Sequence, residues 1–420
     1  MTDLTTDQPA NLSEAFDAAS VYEDLHRHPE LGFEEHRTAA LAARHLERAG
    51  CAVTTGVGGT GVVGVLERGA GPTVLLRADM DALPVREETG LPYASTATVT
   101  RPDGSTASVM HACGHDVHTT CLLGAAYELG RDRSWAGRVL LVVQPAEELG
   151  QGARAMVADG VVERFGRPDV VLGQHVAPVP AGVLGIHRGP AFAASDSLDV
   201  RFFGRGGHGS RPEATCDPVL MASSFVVRVQ SVVSRMIAGR NMAVVSVGAI
   251  HAGDAYNVIP DTAELKLSIR TFDPRVRATV LEAVERLARS EAAGAGAPRD
   301  PEVVNVQSHP AVVNDVAACD RVEAAFGALS GVAVVDPGVV TGSEDVGILA
   351  DAAGAPCAYW LLGGSDPALF AGARTVPEIA AVVGGLPSNH SPHFAPSPTP
   401  TLAIGVAALT TAASAWLRTG

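Results

Sequence analysis

Cys113 and His115 stand two residues apart in Met110-His-Ala-Cys-Gly-His-Asp116, and Glu147 and Glu148 are adjacent in Gln144-Pro-Ala-Glu-Glu148. A thiolate, an imidazole and a carboxylate together suit a borderline divalent ion such as Zn²⁺. A second carboxylate beside the ligand is what a metal-activated water needs as proton acceptor. Neighbouring glutamates do not easily share one job, so Glu148 is read as ligand and Glu147 as general base. Singly, each motif has a structural explanation: a buried Cys near a capping loop, or acids at a helix start. Together they point to metal-assisted hydrolysis.

Two more imidazoles extend the set. His175 precedes Val176-Ala-Pro178, and His390 lies in Ser388-Asn-His-Ser-Pro392. With Cys113, His115 and Glu148 they make more donors than one tetrahedral ion takes, and enough for two ions that share a ligand. The cofactors expected are therefore two divalent metal ions, Zn, Mn or Co. His111, His118 and His393 rank as supporting or structural. Asp79 and Asp81, in Arg77-Ala-Asp-Met-Asp-Ala-Leu-Pro84, are candidates to orient a ligating imidazole through its other nitrogen. Glu344 and Asp345 have similar status.

The elements that must position these groups follow from periodicity. Residues 13 to 49 read as helical. Thr73–Ala78, Arg138–Gln144 and Asp169–Gln174 read as buried strands, alternating with helices over Asp116–Leu129 and Gly152–Asp159. This alternation predicts an α/β fold: a mixed, largely parallel sheet flanked by helices. Ligands of such sheets bind beyond the carboxyl ends of the strands. Asp79 and Asp81, the glutamate pair and His175 all fall at such ends.

From about Ala193 the order becomes strand, helix, strand, strand, helix, strand, over Ser197–Phe203, Asp217–Ile237, Ala243–Ile250, Thr262–Arg270, Pro274–Ser290 and Glu302–Gln307. That order predicts an inserted split-βαβ, ferredoxin-like domain. The expected division is a catalytic domain over 1–192 and 309–420, interrupted by the insert at 193–308. Within the insert, His208 sits in the glycine-rich Gly204–Ser210 loop, where it is placed to donate a hydrogen bond to a developing oxyanion. Asn257 and Arg270 bracket one strand. Arg270 ends an apolar run, an expensive place for a charge without a partner; a substrate carboxylate and a structural ion pair are equally good partners on sequence grounds.

Net charge is −15, and of 31 basic residues only Lys266 is a lysine. This balance argues against nucleic acid and anionic membranes as partners. The polar start Met1–Gln8 lacks the apolar core of a signal peptide, and Gly, Pro or charge is read as interrupting every apolar run. The six cysteines have no disulfide-framework spacing. A cytoplasmic protein is expected.

Taken together, the motifs resemble the dimetal amidohydrolases related to aminoacylase, hippurate hydrolase and the indole-acetyl-amino-acid hydrolases. The resemblance rests on His28-Pro-Glu-Leu-Gly-Phe33, Arg77–Val85, Met110–Thr119, Gln144–Glu148, Gly206-Gly-His208, Asn257–Asp261, Arg270-Thr-Phe272 and Ser343-Glu-Asp345, in that order. It implies metal ligation by Cys113, His115, Glu148, His175 and His390, with Glu147 as acid/base. It also implies that the insert is a lid and dimerisation domain, whose His208, Asn257 and Arg270 meet the substrate, in dimeric relatives partly across the interface. The expected activity is hydrolysis of N-acyl amino acids or related carboxylate-bearing amides, by a homodimer or higher homo-oligomer. The alternatives are a dipeptidase or carboxypeptidase using the same centre, and a metal-binding scaffold that has lost catalysis.

Overall fold

The computed structural model describes residues 15–417 apart from position 102. The polar start Met1–Gln8 and residues 13 and 14 of the first helical segment lie outside the described residues. The chain divides into two compact units: one runs to Gly189 and resumes over Asn314–Gly338 and from Asp345; the other holds Pro190–Val313 and Val339–Glu344. The short segment Val339–Glu344 departs from the boundaries read above. Its place follows from hydrogen bonding: Val340 N–H donates to Ala191 O (2.8 Å), and Ala193 N–H reaches Val340 O and Gly342 O (3.0 Å each).

The first unit is built on an eight-stranded sheet. Helices α1 (Ala18–Arg27) and α2 (His36–Arg48) replace the single helical stretch expected over 13–49. Pro29 lacks an N–H to continue α1, and Glu30 instead caps α2 by accepting from Arg37 and Thr38 N–H (3.0 and 2.8 Å). A hairpin of β1 (Ala52–Val57) and β2 (Gly61–Arg68), not anticipated from sequence, forms one edge. Then come Gly137–Gln144, β3 (Thr73–Asp79), Val170–Pro180 and Cys357–Ser365, all mutually parallel, and short Val183–Gly185 and Ala333–Val335 close the far edge. Fold class is thus as expected: mixed α/β with a parallel centre. The central strands are apolar on both faces because helices cover them; α3 (His115–Arg131) is buried along nearly its whole length.

The second unit has a four-stranded antiparallel sheet, in the order Ala243–His251, Thr262–Thr271, Ala194–Phe203, Glu302–His309. Strand alternation sends Leu198, Val200, Phe202, Leu265, Leu267 and Ile269 to one face, where they meet Phe225 and Val229 of helix Pro218–Ser231 and Val280, Val284 and Leu287 of helix Pro274–Gly294. The opposite face carries Arg201, Glu264 and Lys266, exposed.

One expectation fails on length and composition. Helices Pro218–Met236 and Pro398–Leu417 are each apolar and long enough to cross a membrane. The reason is packing: each supplies buried residues to its own unit, Met221, Ala222 and Phe225 in the first and Leu402, Ala408, Leu409 and Ala412 in the second. Core helices pass the same test.

Candidate metal centre

The donors converge at the carboxyl end of the parallel strands. Gly114 makes the Cys-x-His spacing work. It caps α3 with φ 83°, a left-handed conformation, and a Cβ there would run into Val176. The turn brings Cys113 and His115 to the same side. The sequence pattern places His175 just after its strand. It lies within it instead, because the strand runs on to Pro180 in register with Cys357–Ser365, pairing His175 with Leu361.

The donor atoms of Cys113, His115 and His175 lie within 4.8 Å of one another, as do those of Cys113, Glu148 and His390. Cys113 belongs to both groups. Cys113 Sγ is 3.5 Å from His175 Nε2, and His390 Nε2 is 3.3 Å from Glu148 Oε1. Glu147 joins His115 and Glu148 in a third group of the same size. So the five proposed ligands and the proposed base are brought together.

In His115 and His175 the Nδ1 atom is engaged and Nε2 faces the cluster. His175 Nδ1 donates to Val176 O (2.9 Å), leaving Nε2 toward the thiol. His115 Nδ1 meets Asp81 Oδ1 (3.1 Å). Its buried Nε2 makes no hydrogen bond among the described residues and faces Asp79 Oδ2 at 3.6 Å and Glu148 Oε1 at 4.0 Å. A carboxylate behind a ligating imidazole fixes its tautomer, and Asp81 also accepts Glu148 N–H (2.9 Å), tying both donors to one acid. His118 is different. Its Nε2 accepts Val176 N–H (2.8 Å) and its Nδ1 meets Asp79 Oδ1 (2.6 Å), so both nitrogens are used and it is structural. His111 is buried, which pushes its pKa down to about 4 and leaves it neutral. His393 turns away to Glu88 O (2.8 Å). His390 is the histidine that reaches Glu148; a φ of 71° and an N–H bond to Ala112 O (2.8 Å) aim it.

The local field favours a cation. Burial pushes the Cys113 thiol up to about 12, and the Glu148 charge adds to it. Burial alone would also drive the His115 imidazole neutral, yet Asp79, Cys113 and Asp81 outweigh it and hold its pKa well above the ordinary value. A buried nitrogen without a hydrogen bond, ringed by a thiol and carboxylates, fits divalent metal. A bound ion would also strip the thiol proton.

Residues 75–378 match peptidase family M20/M25/M40. The chain belongs to this family. Membership makes it an amide-cleaving hydrolase, in line with the resemblance carried by the motifs. The family member is 45% identical to hippurate hydrolase of Campylobacter jejuni over 63% of this chain and 67% of the relative. It is 36% identical to thermostable carboxypeptidase 1 of Saccharolobus solfataricus over 81% of this chain and 84% of the relative. The crystal structure of the Bacillus subtilis YXEP protein, a dinuclear metal-binding peptidase from the M20 family, superimposes with a TM-score of 0.75 at 29% identity, covering 96% of this chain and 98% of that one.

In this M20-family chain the other candidates lie in the second unit. Gly207–His208 pairs with Val258–Ile259, which places His208 beside Asn257, whose carbonyl accepts Gly209 N–H (2.8 Å). His208 Nδ1 accepts Ser210 N–H (3.1 Å), so its proton sits on Nε2, available to donate. Half-buried Arg270 donates to Ser343 Oγ (2.8 Å) and makes no ion pair among the described residues.

Sequence reading missed three buried groups. Arg77, fully buried, donates to Gln144 Oε1 (2.9 Å), Asp79 Oδ2 (2.8 Å) and Asp345 Oδ1 (2.8 Å). Glu35 accepts Ala146 N–H (2.8 Å). His26 lies between Asp116 Oδ2 (2.6 Å) and Glu87 Oε1 (3.0 Å). A signal existed for His26: it falls on the buried face of α1 with Val21, Tyr22 and Leu25. Burial lowers its pKa, but hydrogen bonds to Asp116 and Glu87 outweigh that and raise it from 6.5 to about 10. A raised folded-state pKa stabilises fully below the unfolded value and is lost as pH climbs through the folded one. Stability should therefore fall between pH 6.5 and about 10 more steeply in the native protein than in His26→Gln. Urea denaturation across that range checks it; equal slopes would show that His26 is neutral.

Proposed function

We propose that the protein is a two-metal amidohydrolase that releases amino acids from N-acyl amino acids or similar carboxylate-bearing amides. The observation that carries this reading is the pair of donor groups sharing Cys113, with Glu147 beside them. Cys113, His115 and His175 would hold one ion, and Cys113, Glu148 and His390 the other. Zn²⁺, Mn²⁺ and Co²⁺ are the ions such a donor set takes. When bound, divalent cations polarise the amide carbonyl and lower the pKa of water. Glu147 accepts the proton of the attacking water and delivers it to the leaving nitrogen. His208 donates from Nε2 to the oxyanion, and Arg270 with Asn257 holds the substrate carboxylate.

Hippurate is an N-acyl amino acid, and the hippurate hydrolase relative supports this substrate class. The carboxypeptidase relative supports the second reading, cleavage of a terminal residue from peptides at the same centre. We also read the protein as a cytoplasmic homo-oligomer. Its six cysteines are free and buried. Exposed Leu220 and Val227 on helix Pro218–Ser231 are apolar surface of the kind a second copy covers, and the open edge of strand Ala243–His251 offers backbone groups that a second copy can pair.

A panel of N-acetyl, N-benzoyl and dipeptide substrates tests the assignment on chelated protein reloaded separately with Zn²⁺, Mn²⁺ or Co²⁺. N-acyl amino acids should be cleaved, activity should vanish on chelation, and reloading should restore it. Preference for dipeptides would move the reading to the peptidase, and activity that survives chelation would end it.

A further inference from the structure

His28-Pro-Glu-Leu-Gly-Phe33 is among the motifs that carry the family resemblance, yet none of its side chains joins the donor cluster. The segment between α1 and α2 instead lies against both acid-bearing loops of the site. Glu30 O accepts Ala82 N–H (2.8 Å), and Leu31 forms a bridge with Ala82, next to Asp81. Gly32 approaches the other loop so closely that a Cβ would sit 3.1 Å from Ala146 Cα and 3.0 Å from Leu149 Cδ1. Glu35, fully buried, closes the contact: one carboxylate oxygen accepts Ala146 N–H (2.8 Å), the other the Thr60 hydroxyl (2.5 Å).

Ala146 is the residue before Glu147, and its φ of 47° lies in the left-handed region. A side chain with a Cβ stays there only where its surroundings over-determine it. Its carbonyl is held by Gly152 N–H (3.1 Å), which leaves the amide as the second point of control. That amide is buried, so without an acceptor it would be an unsatisfied donor, and the turn would relax toward an ordinary conformation. Relaxation at Ala146 re-aims everything that follows, beginning with Glu147.

We infer that Glu35 is a positioning residue: its carboxylate holds the left-handed turn at Ala146 and thereby aims Glu147 at the donor cluster. This rests on the reading of Glu147 as the base. A carboxylate without metal or substrate contact then governs turnover rather than affinity.

The test compares Glu35→Ala with Glu35→Gln in the metal-loaded full chain. Glutamine keeps an oxygen for Ala146 N–H and turns its amide to Thr60. For Glu35→Ala, kcat should fall about 10- to 100-fold, with KM within about twofold of native. Hydrogen exchange in the peptide containing Ala146 should quicken about tenfold. Glu35→Gln should restore both. A kcat for Glu35→Ala within about twofold of native, a fall without faster exchange, or a glutamine variant as impaired as alanine would each overturn the inference. If Glu35→Ala does not fold, Gly32→Ala replaces it; the added methyl presses on Ala146, and an unchanged kcat overturns the inference. An active Glu147→Gln enzyme would instead remove the base assignment, while the exchange measurement would still read the Glu35–Ala146 contact.

Discussion

Glu147→Gln should leave the protein folded and metal-loaded but lower kcat by about 10²- to 10⁴-fold, the range that a positioned acid/base supplies. The substitution is nearly isosteric and removes one thing, the capacity to take a proton. Glu147 is buried, and its carboxylate shares a 4.8 Å neighbourhood with His115 and Glu148. Glutamine there still fills the space and still hydrogen bonds. Glu148→Gln is the contrast: it removes a donor charge, so metal content should fall together with activity. Metal analysis beside kcat separates the two. Near-normal turnover in Glu147→Gln would sink the base assignment, and equal metal loss in both variants would sink the division of labour.

Arg77→Leu should be strongly destabilising to the first unit. Its guanidinium is fully buried and satisfies Asp79 and Asp345, both also fully buried. Removing one member of a buried ion pair leaves uncompensated charge and costs about 3–5 kcal/mol, a large share of the 5–15 kcal/mol typical of a folded domain, to order of magnitude. Asp345 accepts from Gln144 Nε2 (2.7 Å) and Ala153 N–H (3.1 Å), so the loss spreads to both ends of the segment carrying the glutamates. Urea midpoints should show it, and Asp345→Asn in the Arg77→Leu background should recover part of the loss by removing the stranded charge. If Arg77→Leu does not fold, Arg77→Lys, which keeps the charge and loses the fork, should fall between it and the native protein. Native-like stability for Arg77→Leu would show that the network is not what holds this edge together.

The donor cluster was legible in the sequence because strand-end placement and residue type are local properties. Cys113, His115, Glu147 and Glu148 needed only their neighbours to be suspected. The supporting network was not legible, because it is made by partners far apart: Arg77 and Asp345 are separated by 268 positions, and His26 and Asp116 by 90. A clue was present. Arg77 interrupts an apolar strand, and like Arg270 at the end of its run it needs a partner there. His175 was misplaced by a strand end because the strand is lengthened by pairing with Cys357–Ser365, a partner no local pattern announces. The choice between His390 and His393 turned on backbone conformation, since a φ of 71° at His390 has no counterpart in residue spacing.

The interrupted layout of the chain has a consequence for biosynthesis. The central parallel sheet needs Cys357–Ser365, and the proposed donor set includes His390, both encoded after the insert. The insert is nearly continuous in sequence, Pro190–Val313, and has its own apolar core. A ribosome therefore releases a unit that can close on itself while the earlier half still lacks a central strand. Of the two proposed donor groups, Cys113–His115–His175 is encoded before the insert, and only the group that includes His390 waits for the end of synthesis. Until then the exposed edge of Val170–Pro180 is the surface most in need of protection from aggregation.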